Sequence, residues 1–208
     1  MKNTYIFDLD GVIVDTARYH YLAWKKIADE LDIFFDEALN ESLKGVSRVE
    51  CLEILIKYSG IALSDAEKAD ILSRKNDYYL DFIAQLTHSD LLPGVKALLD
   101  RCKDDGIYIC LGSASKNAEY ILDKLNIKHY FDVIVDGNHV TKAKPDPEVF
   151  CRASEALNVP YENCIVFEDS IAGITAAKNA GMYTVGIGSK DVLTEADIVF
   201  SDLSDFAV

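Results

Sequence analysis

Two carboxylates stand one residue apart at Asp8-Leu9-Asp10, directly after the apolar run Tyr5 to Phe7, where a short strand would give way to a loop. A buried parallel strand is normally uninterrupted Val, Ile, Leu and Phe, and charge at its carboxyl end is costly unless a metal or substrate compensates it. Ligands of open α/β sheets bind at that same edge. Three further places repeat the pattern of an apolar or turn segment ending in chemically capable groups. Leu111-Gly112 passes into Ser113-Ala114-Ser115, whose hydroxyls and backbone N–H groups could hold phosphate oxygens. Lys144 precedes Pro145, and the residue before proline avoids the helical region, so this lysine is presented on an extended turn. Cys164 to Phe167 ends in Glu168-Asp169.

These four places supply what phosphoryl transfer to a carboxylate requires. A phosphate dianion approaching an ionised Asp8 is repelled by ~4 kcal/mol at a few ångströms for an effective dielectric near 20, so cations must remove that barrier. Mg2+ suits Asp8, Asp169 and a backbone carbonyl, because it takes oxygen ligands and usually only one or two carboxylates plus substrate phosphate. Lys144 would supply the remaining positive charge. Asp10 is placed to protonate the leaving oxygen and later to deprotonate the acceptor, a role worth ~10²–10⁴-fold. Each group also has a plainer use: Ser113 and Ser115 as helix N-caps, Lys144 as a solvated surface cation, and Glu168-Asp169 as an acid pair serving a helix dipole. The four together, all at strand ends, favour one reaction over four coincidences.

The elements needed to hold these groups follow from the hydrophobic pattern. Strand-like runs at 107–111, 133–135, 164–167 and 182–187 alternate with helical stretches at 117–125, 148–157 and 171–180, the last closed by Gly181. That alternation predicts a Rossmann-like parallel sheet flanked by helices, an α/β core with right-handed crossovers. Between Asp15 and about Asp90 the strand signal disappears. Trp24, Ile27, Ala28 and Leu31 fall on one helical face, with Trp24 read as packing core, and 64–85 reads as a long helix with Ser64 as N-cap. The expected organisation is therefore a core of residues 1–15 and 91–208 with a helical cap inserted at 16–90. Leu92-Pro93-Gly94 opens the first core helix, with Leu98 and Leu99 on its apolar side.

Composition limits the partners. At 208 residues and 50% hydrophobic the chain can fill a core, and its net charge of -14 disfavours nucleic acid and anionic membranes, which are held by clustered Lys and Arg. The five cysteines show no C-x-x-C spacing and read as reduced core thiols. The N-terminal segment reaches Asp8 too soon for a signal peptide or a span, so a cytoplasmic location is expected.

The four motifs, Asp8-Leu9-Asp10-Gly11, Ser113, Lys144-Pro145 and Glu168-Asp169, resemble those of the haloacid dehalogenase superfamily. Outside them, Thr16-Ala17, Tyr19-His20, Lys44-Gly45-Val46-Ser47-Arg48, Arg74-Lys75-Asn76-Asp77 and Ser113-Ala114-Ser115-Lys116-Asn117 are similar to its β-phosphoglucomutase branch. The resemblance implies a capped core, one Mg2+ per subunit and a monomer. It also implies interconversion of β-glucose 1-phosphate and glucose 6-phosphate through a phospho-aspartate and glucose 1,6-bisphosphate, the latter serving as primer. On it, Asp8 is the nucleophile and Asp10 the acid/base. Ser113 and Lys144 hold the transferring phosphate. Asp8, the Asp10 carbonyl, Glu168 and Asp169 surround the metal. His20, the Gly45, Val46, Ser47 and Arg48 loop, Lys75 and Asn76 meet the sugar phosphate from the cap, while Ala114, Ser115 and Asn117 approach from the core and Thr16 lies at the hinge. Arg48 suits the non-transferring phosphate, since a guanidinium fork grips phosphate at two points and can drive cap closure against water. The alternative on the same scaffold is a small-molecule phosphatase. A phospho-accepting regulatory module of receiver type also places Asp, Mg2+ and Lys on a parallel sheet, but a proton-donating Asp10 and the helical insertion argue against it.

Overall fold

Thr4–Phe7 forms strand β1, buried along its whole length, as expected for a strand covered on both faces. It pairs in parallel with β2 (Tyr108–Gly112) on one side and β4 (Cys164–Glu168) on the other, so that Phe7 lies opposite both Leu111 and Phe167. This register sets Asp8, Gly112 and Glu168 at one level, immediately past the paired residues. The sheet is completed by β3 (Val133–Val135), β5 (Tyr183–Ile187) and β6 (Ile198–Phe200) in the order β3-β2-β1-β4-β5-β6, with every pairing parallel. The α/β core expected from the alternating pattern is present, and β6 is an addition to it. In this computed structural model the described residues are 4–41, 43 and 47–206.

The chain divides into two compact units, Met1–Asp15 with Leu86–Val208, and Thr16–Gln85. In the first, the crossover helices are Val95–Asp104, Ala118–Lys124, Glu148–Ala156 and Ile171–Asn179. Val95, Leu98, Leu99 and Cys102 make the buried face of the first of these. The helix Ile171–Asn179 stops before Gly181, whose φ of 74° a side-chain-bearing residue adopts only at a cost. Stacked Phe7 and Phe167, with ring centroids 4.6 Å apart, fix β1 against β4 just below the site.

Among its described residues the second unit is helical: α1 (Ala17–Glu30), α2 (Glu37–Glu41), α3 (Arg48–Ser59) and α4 (Asp65–Ile83). With these counted first, the crossover helices of the sheet unit are α5 to α8. Ser64 caps α4 through the reciprocal Ser64–Glu67 box, and Ser47 caps α3 in the same way with Glu50. Trp24, Ile27, Ala28, Leu52, Leu55 and Ile71 form the buried centre, so Trp24 packs as core. Leu31 follows α1 as its C-cap and is only partly buried.

Cys51, Cys102, Cys110, Cys151 and Cys164 are all free thiols. Burial pushes Cys51 up to about 11 and Cys102 and Cys110 up to about 12, which keeps them protonated and unreactive. Among the described residues, no helix is long and apolar enough to cross a membrane.

Candidate active site

The turn after β1 is drawn tight by backbone bonds: Asp8 N donates to Phe167 O at 2.9 Å, Gly11 N to Val14 O at 2.8 Å, and Ile13 N to Leu9 O at 2.9 Å. Asp8 is left 7% exposed and Asp10 half-buried. Gly11 has φ 81°, and a Cβ there would fall 2.1 Å from Asp169 Oδ2, so this glycine makes both the turn and the room for Asp169. One carboxylate oxygen each from Asp8, Glu168 and Asp169 lies within 4.8 Å of the others.

Lys144 completes the cluster. Its ammonium donates to Asp8 Oδ1 at 2.6 Å and to Glu168 Oε2 at 2.8 Å, with its side chain 9% exposed. Lys142, two residues earlier, is 70% exposed and pairs with Asp146 at 3.3 Å. The proline-linked lysine is thus the one that the loop turns inward. Burial alone would discharge the Lys144 ammonium, but the charges and hydrogen bonds of Asp8 and Glu168 outweigh it and hold its pKa above the usual lysine value. Asp8 is raised well above the ordinary carboxylate range, first by burial and then by Glu168, Asp10 and Asp169, with Lys144 pulling the other way. Asp169 is pushed up to about 7, by burial and then by the adjacent Glu168. Four crowded acids sharing one ammonium are short of positive charge. A hard divalent cation among carboxylate oxygens is the group that such a donor set fits.

Glu168 is held from below. Its Oε1 accepts from Ser170 N at 3.0 Å and Ser170 Oγ at 2.7 Å, while its Oε2 takes Lys144. A Cβ on Gly173 would meet Glu168 Cδ at 2.0 Å, so α8 must carry glycine where it passes this carboxylate. Ser170 and Gly173 escaped the sequence reading; a glycine five residues after an acid, inside an apolar helix, was the available signal. The helix-cap duty there belongs to Ser170, whose Oγ accepts from Gly173 N at 3.1 Å.

Past β2, Ser113 N donates to Val135 O at 3.0 Å, which ties this loop to β3. Ser113 Oγ accepts from Ser115 N at 3.1 Å and Ser115 Oγ from Asn117 N at 3.3 Å, so neither serine is the N-cap of α6; that position is Asn117. Ala114 is exposed and Asn117 half-buried. These bonds curl residues 113–117 into a polar loop beside the ends of β1 and β2.

The helical unit contains a second constellation of its own. Lys75 on α4 is 2% exposed, and its ammonium lies 2.8 Å from His20 Nδ1, 4.9 Å from the Tyr79 ring centre and 5.3 Å from that of Trp24. His20 stacks on Tyr79 at 4.1 Å. Burial, then Lys75 and Arg48, hold the imidazole well below its usual pKa, and beside an ammonium that can only donate, Nδ1 of the neutral ring is the acceptor. Arg48 donates to Leu72 O at 3.4 Å, and burial lowers its pKa from the ordinary arginine value. Asn76 is half-buried and Thr16 fully buried at the start of α1. Ser47 spends its side chain on the α3 cap. Gly45 and Val46 lie outside the described residues.

Residues 2–181 match the model of the haloacid dehalogenase-like hydrolase family. The chain is 46% identical to β-phosphoglucomutase of Bacillus subtilis strain 168 over 98% of this chain and 91% of that one. It is 33% identical to a phosphorylated carbohydrates phosphatase of Thermotoga maritima, over 85% and 81%. The crystal structure of β-phosphoglucomutase from Clostridium difficile superimposes with TM-score 0.93 at 42% identity, covering 100% of this chain and 94% of that one.

Proposed function

Since the chain belongs to the haloacid dehalogenase-like hydrolase family, we propose that it is an isomerase interconverting β-glucose 1-phosphate and glucose 6-phosphate by way of a phospho-aspartate and glucose 1,6-bisphosphate. The near full-length identity to the Bacillus subtilis mutase supports the substrate, and the buried Lys144 ammonium 2.6 Å from Asp8 Oδ1 carries the chemistry. An ammonium at that distance favours the ionised form of Asp8 against the burial and neighbouring acids that raise its pKa, and an ionised carboxylate is what attacks phosphorus.

In this reading an oxygen of Asp8 forms a bond to phosphorus as the bond from phosphorus to the donor oxygen breaks, and Asp10 gives its proton to that departing oxygen. In the second half, Asp10 takes the proton of a sugar hydroxyl while that hydroxyl takes the phosphoryl group from Asp8. Lys144 and the Ser113 loop hold the oxygens of the group in flight and neutralise its charge. Asp8, Glu168 and Asp169 with the Asp10 carbonyl would hold Mg2+, which when bound neutralises phosphate charge and orients it. Arg48, with Lys75, His20, Asn76 and Thr16, would recognise the sugar and its resident phosphate. Gly45, Val46 and Ser47 are assigned to the same recognition, as are Ala114, Ser115 and Asn117 of the sheet unit.

A coupled assay from β-glucose 1-phosphate to glucose 6-phosphate, with Mg2+ and glucose 1,6-bisphosphate added, tests the proposal. Isomerisation outpacing release of inorganic phosphate is expected. Phosphate release without isomerisation would instead align the chain with its Thermotoga maritima relative and make it a sugar-phosphate phosphatase.

A further inference from the structure

The segment from β3 to α7 must deliver Lys144 to a point between two carboxylates, and its first half is gathered by one side chain. Glu148, the first residue of α7, accepts three hydrogen bonds on a single oxygen: Oε2 receives Thr141 N at 2.9 Å, Thr141 Oγ1 at 2.9 Å and Lys142 N at 2.8 Å. Its other oxygen is held by the Arg152 guanidinium, with Nε at 2.8 Å and Nη2 at 2.6 Å. Asp146 Oδ1 in turn accepts from Glu148 N at 3.1 Å, so the loop closes on the helix start from both of its ends.

We propose that Glu148 is a positioning residue for Lys144: its carboxylate pins residues 141 and 142 to the start of α7, and that anchor sets where the ammonium lies against Asp8. The inference rests on the role given to Lys144 above and extends it. Only Ala143 separates the pinned backbone from the lysine. The Lys144 contacts at 2.6 and 2.8 Å to two different acids leave little tolerance for a shift of the main chain. Misplacement by about 1 Å can cost on the order of 10²-fold in rate. The anchor is suited to its task, because a negative charge at the first turn of a helix is favoured by the helix dipole. The donors from Lys142 and Thr141 then hold the carboxyl down to about 2, so the anchor stays ionised at any working pH.

The test compares Glu148→Ala and Glu148→Gln in the parent enzyme and in a Lys144→Met background, following kcat, KM and thermal unfolding. Expected is a fall in kcat of roughly 10- to 100-fold for Glu148→Ala, with KM for the sugar phosphate changed far less. Glu148→Gln keeps an acceptor oxygen for the two N–H groups and should recover part of the loss. In the Lys144→Met background, Glu148→Ala should change the residual rate by less than about twofold, because the side chain that it positions is gone. A parent-like kcat for Glu148→Ala, or an equal fold-loss in both backgrounds, would overturn the proposal. Should Glu148→Ala fail to fold, the Gln variant carries the same comparison with a smaller loss. Parent-like turnover of Lys144→Met itself would remove Lys144 from the site and this inference with it, a result distinct from a silent Glu148 beside an inactive Lys144→Met.

Discussion

The sheet unit and the helical unit each bury a cluster of ionisable groups, and the two clusters are opposite in sign. Around Asp8, four carboxylates share one ammonium, whereas around Lys75 two cations sit with an imidazole kept neutral. In a chain of net charge -14 the second arrangement is the unusual one. Burying Lys75 costs free energy, which its aromatic surroundings and His20 help to offset. The acid cluster is therefore short of positive charge, while the basic cluster carries it. The relatives include both a mutase and a phosphatase, and on the proposed function the acid cluster would serve the phosphoryl step that these two activities have in common, with the choice of acceptor made elsewhere. The basic cluster is the place to look.

Removing the nucleophile breaks this comparison most severely. Asp8→Asn should lower turnover by at least about 10⁴-fold, as loss of a covalent nucleophile does. It should leave the thermal midpoint unchanged or raised, since it relieves a crowded buried acid. Steady-state assay and calorimetry decide it, and substantial remaining mutase activity would exclude Asp8. Asp10→Asn should cost ~10²–10⁴-fold through loss of proton transfer. Because the metal contact assigned to Asp10 is its carbonyl, Mg2+ affinity by calorimetry should stay within about threefold of the parent. A large drop in affinity would make the Asp10 side chain a metal ligand.

The two clusters were not equally legible in the sequence. Asp8, Ser113 and Glu168-Asp169 stood out because each follows an apolar run, and Lys144 because it precedes a proline; parallel register then aligns the ends of β1, β2 and β4 at one edge. Nothing comparable marks Lys75. On helical periodicity a lysine reads as an outward residue, and its burial depends on Trp24 and Tyr79 packing around it, which is long-range information. It entered the reading only through likeness to a family. Glu148 was hidden for another reason: an acid just after Pro147 at a helix start has the plain explanation of serving the dipole, and its three donors lie six and seven residues back on a loop. Strand β6, Ile198–Phe200, escaped because no helix separates it from β5, so the strand–helix alternation that reveals the other strands does not reach it.

Arg48 sharpens the contrast. Arg48→Ala should raise KM for the sugar phosphate by about 10- to 100-fold, the size of a lost charge-assisted bond, and should increase phosphate release relative to isomer formed. Unchanged kinetics would remove it from recognition of the substrate. A smaller effect is expected on stability through His20. Its folded pKa lies well below that of the unfolded chain, so between the folded value and about 6.5 the unfolded state binds the extra proton. Stability from the neutral imidazole is therefore fully present above about pH 6.5 and is lost as the pH falls through that window. His20→Asn removes the titration, so its thermal midpoint should fall less steeply than the parent's between about pH 6.5 and 5. Identical slopes would mean that His20 is protonated as readily in the folded unit as in the open chain, and the imidazole could not then be the acceptor that holds Lys75 in place.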